Sequence, residues 1–96
     1  TMAQSMFMQE SEALAADIQK ELGQQLKSPN RGVKQAGFYV LIGASMPNVL
    51  VEVGFLSNPI EEKKLKSSAY RQEIADAVYR AIIKFKQSRE KVLAEG

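Results

Sequence analysis

One carboxylate stands where the pattern around it asks for an apolar side chain. In the stretch Met46-Pro47-Asn48-Val49-Leu50-Val51-Glu52-Val53-Gly54-Phe55-Leu56-Ser57-Asn58, the residues Val49, Leu50, Val51 and Val53 make a nearly unbroken aliphatic run, and Glu52 interrupts it. Such a run is the mark of a strand covered on both faces. An ionised carboxylate in those surroundings costs several kcal/mol unless a cation or a hydrogen-bond donor meets it. Two chemistries fit that position. Glu52 is either a general base or metal-site carboxylate in a cleft, or a rim residue that accepts backbone N–H bonds from the loop Phe55–Asn58. Gly54 ends the strand two residues later, so Glu52 lies near the carboxyl end of the strand, where open α/β sheets place their ligands.

Three further polar residues are candidates for lining such a cleft. Arg31 sits in the turn cluster Lys27-Ser28-Pro29-Asn30-Arg31-Gly32, where a surface salt bridge is the competing role. Ser45 lies in the short connection before Glu52. Asn58 follows it, and helix capping is the competing role there. The chain has no histidine and no cysteine. It offers no disulfide framework, and a catalytic zinc, which takes three protein ligands with imidazole prominent, finds no such set in it.

The elements that must position these residues follow from periodicity. Phe7, Leu14, Ile18, Leu22 and Leu26, with Ala15 and Ala16 beside them, predict an amphipathic helix over residues 5–27, with Glu12, Asp17, Gln19, Lys20 and Gln24 on its other face. Ser11 reads as an exposed or weakly back-bonding serine of that helix, Glu10 and Glu12 as ordinary exposed helix carboxylates, and Met2, Met6 and Met8 as gap-filling contacts or a frayed end. Pro29 stops the helix. Phe38–Ile42 and Asn48–Val53 predict two strands, and the short link between them permits only antiparallel pairing if they are neighbours. Asn58 caps and Pro59 opens a short helix through about Lys66, with Glu61 and Glu62 in its first turn. Ser67 or Ser68 caps a longer helix whose stripe is Tyr70, Ile74, Ala77, Val78, Ala81, Ile82 and Phe85. Residues 87–96 read as an exposed helical continuation that frays. The expectation is therefore an α/β fold: part of a mixed, mostly parallel sheet flanked by helices, in the order helix, strand, strand, short helix, long helix.

Composition narrows the classes. Ninety-six residues with 45% hydrophobic and 25% charged side chains suit one small globular domain. Thirteen Lys and Arg against eleven Asp and Glu, a formal charge of +2, is too small and too mixed to argue for nucleic acid. The basic residues Lys84, Lys86, Arg89 and Lys91 read as a solvated helix face. No run is apolar and long enough for a membrane helix, and residues 1–5 lack the features of a signal peptide.

The runs "RGVKQAGFYVL", "MPNVLVEVGFLSNPIEEKKL" and "YRQEIADAVYRAIIKF" closely resemble the C-terminal half of the catalytic domain of zinc-dependent N-acetylmuramoyl-L-alanine amidases, from about Ser11 to Phe85. The block Pro47–Asn58 is the most specific part. The resemblance implies hydrolysis of the amide between the lactyl group of muramic acid and the first alanine of the peptidoglycan stem. It implies that Glu52 is the acid/base beside the zinc, and that a His, Glu, His ligand set lies in strands and loops preceding this segment. It also implies work in the periplasm or at the cell wall, with any export signal outside this chain. On that basis residues 1–96 are expected to be a partial catalytic domain carrying the general base without the metal ligands. Such a half would be inactive alone, and would pair or swap segments with another copy or with its missing half through open strand edges. The alternative is a relative without the metal site, binding wall glycan or a protein partner.

Overall fold

A computed structural model describes residues 2–26, 45–52 and 58–95. They hold three helices, α1 (Met2–Leu26), α2 (Pro59–Leu65) and α3 (Ser68–Glu95). α1 is built from Ala, Glu, Gln, Leu and Met, strong helix formers, with no proline in its span. α2 begins where Asn58, in an extended conformation (φ −98°, ψ 114°), accepts from the backbone N–H groups of Ile60 and Glu61 at 3.0 and 3.3 Å. Pro59 takes the first helical position, where its missing N–H removes nothing. The chain then turns at Lys66, and Ser67 caps α3 by accepting from the Tyr70 N–H at 3.3 Å. Arg71, one turn into α3, donates to the carbonyl of Leu65 at 2.6 Å and so closes the end of α2 against α3.

α1 and α3 pack side by side and antiparallel. Glu21 of α1 meets Arg80 and Lys84 of α3, whereas Glu10 meets Arg89, so residue numbers rise along one helix as they fall along the other. The seam is small. Among the described residues its buried apolar side chains are Ile18, Ile74, Ala77 and Ala81. The two alanines carry nothing beyond Cβ and lie with no exposed surface, which lets the helices approach closely. Tyr70, Val78 and Phe85 of the expected stripe are half-buried, and Ile82 lies largely outside it, 46% exposed.

The expected α/β sheet is not found: the described residues contain no strand. The run Phe38–Ile42, and with it Arg31, lies outside the described residues. Residues 48–52 are described, and they form an irregular segment with no ladder. A strand needs a neighbour to pair with, and the first amide of this one is committed elsewhere. The backbone N–H of Asn48, which a strand would give to a neighbouring strand, is given to the Ser11 hydroxyl of α1 at 2.9 Å. The alternation that survives is in burial: Val49 and Val51 are half-buried while Leu50 and Glu52 are exposed. One face of the segment is covered, not two.

Candidate functional site

The segment carrying Glu52 is held at its start. Ser45 and Met46 form a bend, exposed to solvent. Asn48 fixes it twice, through the N–H bond to Ser11 and through its own side-chain amide, which donates to the Met46 carbonyl at 2.8 Å. From there the chain runs to Glu52, whose carboxylate is exposed. The burial inferred from the aliphatic run is thus corrected. With only one face of the segment covered, Glu52 points to the open side, where a carboxylate remains hydrated and has no desolvation cost to offset.

Among the described residues no hydrogen bond or ion pair joins Glu52 to Ser45 or to Asn58. Asn58 is engaged as the cap of α2, with both of its backbone bonds accepted by Oδ1. The side chain therefore performs the structural role that the sequence offered beside substrate contact. Residues 53–57, the link between Glu52 and that cap, lie outside the described residues.

Two residues prove to be polar joints of the described structure: Ser11, expected to be an exposed or weakly back-bonding serine, and Glu21, which the sequence pattern did not single out. Ser11 is half-buried and is the acceptor for Asn48. Its signal was register, since Phe7, Ser11, Leu14 and Ile18 recur at helical spacing on one face. Glu21 follows Ile18 by three residues and falls on the same face, with its side chain 6% exposed. There its Oε2 accepts from Arg80 Nε at 3.3 Å and its Oε1 from the Lys84 ammonium, while Arg80 also donates to Gln25 Oε1 at 2.7 Å. The Lys84 hydrogen bond is the main force holding the Glu21 carboxyl below its ordinary value, with Arg80 adding to it and burial opposing both. A buried carboxylate between two cations is the condition under which a charge survives in an interior.

The stretch Lys84–Lys91, read as a solvated face, sends two of its four cations across the seam, Lys84 to Glu21 and Arg89 to Glu10. Lys86 pairs locally with Glu90 at 3.3 Å. Glu10 is correspondingly not an exposed helix carboxylate; its side chain is 13% exposed. A shallow groove of about 390 Å³ opens between the helices here, with Glu10, Ala13, Asp17, Phe85, Arg89 and Val92 among its walls, and none of Ser45, Glu52 or Asn58 lines it.

For a metal, the donor chemistry is thin. The chain has no histidine or cysteine, and among the described residues no three Asp or Glu carboxylates stand close enough to hold an ion. The zinc implied by the family resemblance does not fit the residues present. None of the described helices is long and apolar enough to cross a membrane.

What the arrangement provides, then, is an exposed acid on a segment tethered to a two-helix support. Comparison with known proteins places that support. The family model of the N-acetylmuramoyl-L-alanine amidases matches residues 1–84, and the chain belongs to that family. It is 44% identical over 72 residues to the uncharacterized protein YqiI of Bacillus subtilis, covering 75% of this chain and 35% of that protein. It is 39% identical over 75 residues to the N-acetylmuramoyl-L-alanine amidase LytC of Bacillus subtilis, covering 78% of this chain and 15% of LytC. With the amidase AmiA of Escherichia coli the identity is 37% over 84 residues, 88% of this chain and 29% of AmiA. The chain thus spans about a third or less of the length of these relatives. No solved structure matches it.

Proposed function

We propose that this chain is the part of a peptidoglycan amidase that supplies the proton-transferring carboxylate, and that Glu52 is that group. The reaction is hydrolysis of the amide between the lactyl group of muramic acid and the stem L-alanine. Glu52 takes a proton from the attacking water as its oxygen bonds to the carbonyl carbon. It then delivers that proton to the alanine nitrogen as the carbon–nitrogen bond breaks. The products are a free lactyl carboxyl and a free stem amine, and the carboxylate is regenerated.

The observation that carries the reading is the setting of Glu52: a solvent-facing carboxylate, inside the residues matched by the family, on a segment fixed at Asn48. An acid that must meet a water and a polymeric substrate has to be open on one side. Ser45, exposed at the bend, and Arg31 remain candidates for contact with the glycan or the stem. The substrate sets the place of work at the cell wall, in the periplasm or outside the cell.

The test uses the longer protein that contains this chain, with release of stem peptide from purified peptidoglycan as the readout. Glu52→Gln keeps size and hydrogen bonding but cannot carry the proton, and hydrolysis should fall by about 10²–10⁴-fold, the usual worth of general acid–base catalysis. Undiminished hydrolysis by the variant would remove Glu52 from the mechanism.

A further inference from the structure

The tether at Asn48 has a consequence for the acid four residues beyond it. We propose that Ser11 of α1 is a positioning residue for Glu52: its hydroxyl holds the segment 45–52 in register on the helix and so sets where the carboxylate stands. This rests on the reading of Glu52 as the acid of the reaction.

The bond joins residues 37 apart in sequence and is partly shielded from water, with the Asn48 N–H donating to Ser11 Oγ at 2.9 Å. Among the described residues this bond joins segment 45–52 to α1, and it stands where the segment has no ladder to fix it. The Asn48 side chain, bonded to the Met46 carbonyl, stiffens the bend behind the tether, so that the chain leaves Asn48 in one direction. α1 is itself clamped on α3 by Glu10 and Glu21, which makes Ser11 a fixed point. Four residues of chain reach no more than about 14 Å. Releasing the anchor lets the carboxylate wander over distances at which one ångström of misplacement is already felt in the rate. A serine hydroxyl suits the task because its oxygen can accept the amide hydrogen.

The experiment compares Ser11→Ala and Ser11→Thr with the unaltered sequence in the longer protein, by two readouts. Amide hydrogen exchange at Asn48 reads the tether without reference to activity. Exchange should quicken about fivefold or more in Ser11→Ala and return toward the original rate in Ser11→Thr, which keeps the hydroxyl. The second readout is kcat for stem-peptide release, which should fall about fivefold in Ser11→Ala, the equivalent of the ~1 kcal/mol of one hydrogen bond, with KM little changed and with rescue by Ser11→Thr. A loss merely from weakened folding would lower the active fraction and the melting temperature together, so kcat is taken per folded molecule, and only a fall in that value counts for positioning.

Equal exchange at Asn48 in all three proteins overturns the tether. Quickened exchange with unchanged kcat overturns the positioning role while leaving Glu52 in the reaction. If the unaltered longer protein does not hydrolyse peptidoglycan, or Glu52→Gln hydrolyses it as well as the original, the functional reading fails and the positioning role with it, whatever the exchange at Asn48.

Discussion

Ile18 and Ile82 are the same residue in two environments, and truncating each to alanine measures the seam between α1 and α3. Ile18 retains 4% of its exposure and Ile82 46%. The change to alanine removes one methylene and two methyl groups, worth about 0.8 kcal/mol each when buried, so Ile18→Ala forfeits ~2.4 kcal/mol of transfer energy. A cavity term adds to this, limited here because a two-helix seam flanked by alanines can close by a small shift of one helix. The expected loss is about 2–3 kcal/mol. For Ile82, roughly half of the same surface is already in water in the folded chain, and no cavity forms, so the loss is about 1 kcal/mol. In a chain of this size each kcal/mol moves the melting temperature by about 4–8 °C. Thermal unfolding followed by circular dichroism at 222 nm should show a drop of about 10–20 °C for Ile18→Ala and at most about 8 °C for Ile82→Ala. Equal drops, or a larger one for Ile82, would mean that α3 buries a different face and that the seam is not the core.

Acid should loosen the same seam. The folded-state value of Glu21 lies below its ordinary 4.5, so its contribution is fully present above pH 4.5 and is lost as pH falls through the lower folded value. Urea midpoints measured from pH 6 downward should fall through that window in the unaltered chain and fall less steeply in Glu21→Gln; identical slopes would show that Glu21 does not titrate against Lys84 and Arg80. Asn58→Ala removes both cap bonds of α2 and should cost about 1 kcal/mol, whereas Asn58→Asp keeps the acceptor and should cost little, as read by urea unfolding. If both variants were equally stable but the longer protein lost stem-peptide release in each, Asn58 would belong to the substrate and not to the helix.

The helices were legible because their signals are local. Asn58, Pro59 and Ser67 specify their ends through bonds that span two or three residues, and the stripe Ile74, Ala77, Ala81 repeats at the helical period. The strand expected at 48–53 was read from the same kind of local pattern, but a strand is defined by its neighbour, and pattern cannot supply one. The Asn48 N–H found a serine instead. The role of Ser11, expected to be an exposed serine, and that of Glu21, which did not stand out, were hidden for a related reason. Each is a polar residue at an apolar register, and its role depends on partners 37 and about 60 positions away, Asn48 for the one, Arg80 and Lys84 for the other. Glu52 stood out in the sequence by type. Its exposure did not, because the aliphatic run around it promised two covers and the described segment has one.

The ion pairs across the seam also sort the helices by sign. The carboxylates that cross it, Glu10 and Glu21, belong to α1, and the cations that answer them, Arg80, Lys84 and Arg89, belong to α3. Two α1 helices laid together would oppose carboxylate to carboxylate, and two α3 helices cation to cation. Like charges so placed cost free energy that unlike charges return. As the chain collapses, each helix is therefore steered away from its own kind on neighbouring molecules and toward its complement, and the complement joined to it by the same backbone is always the nearest.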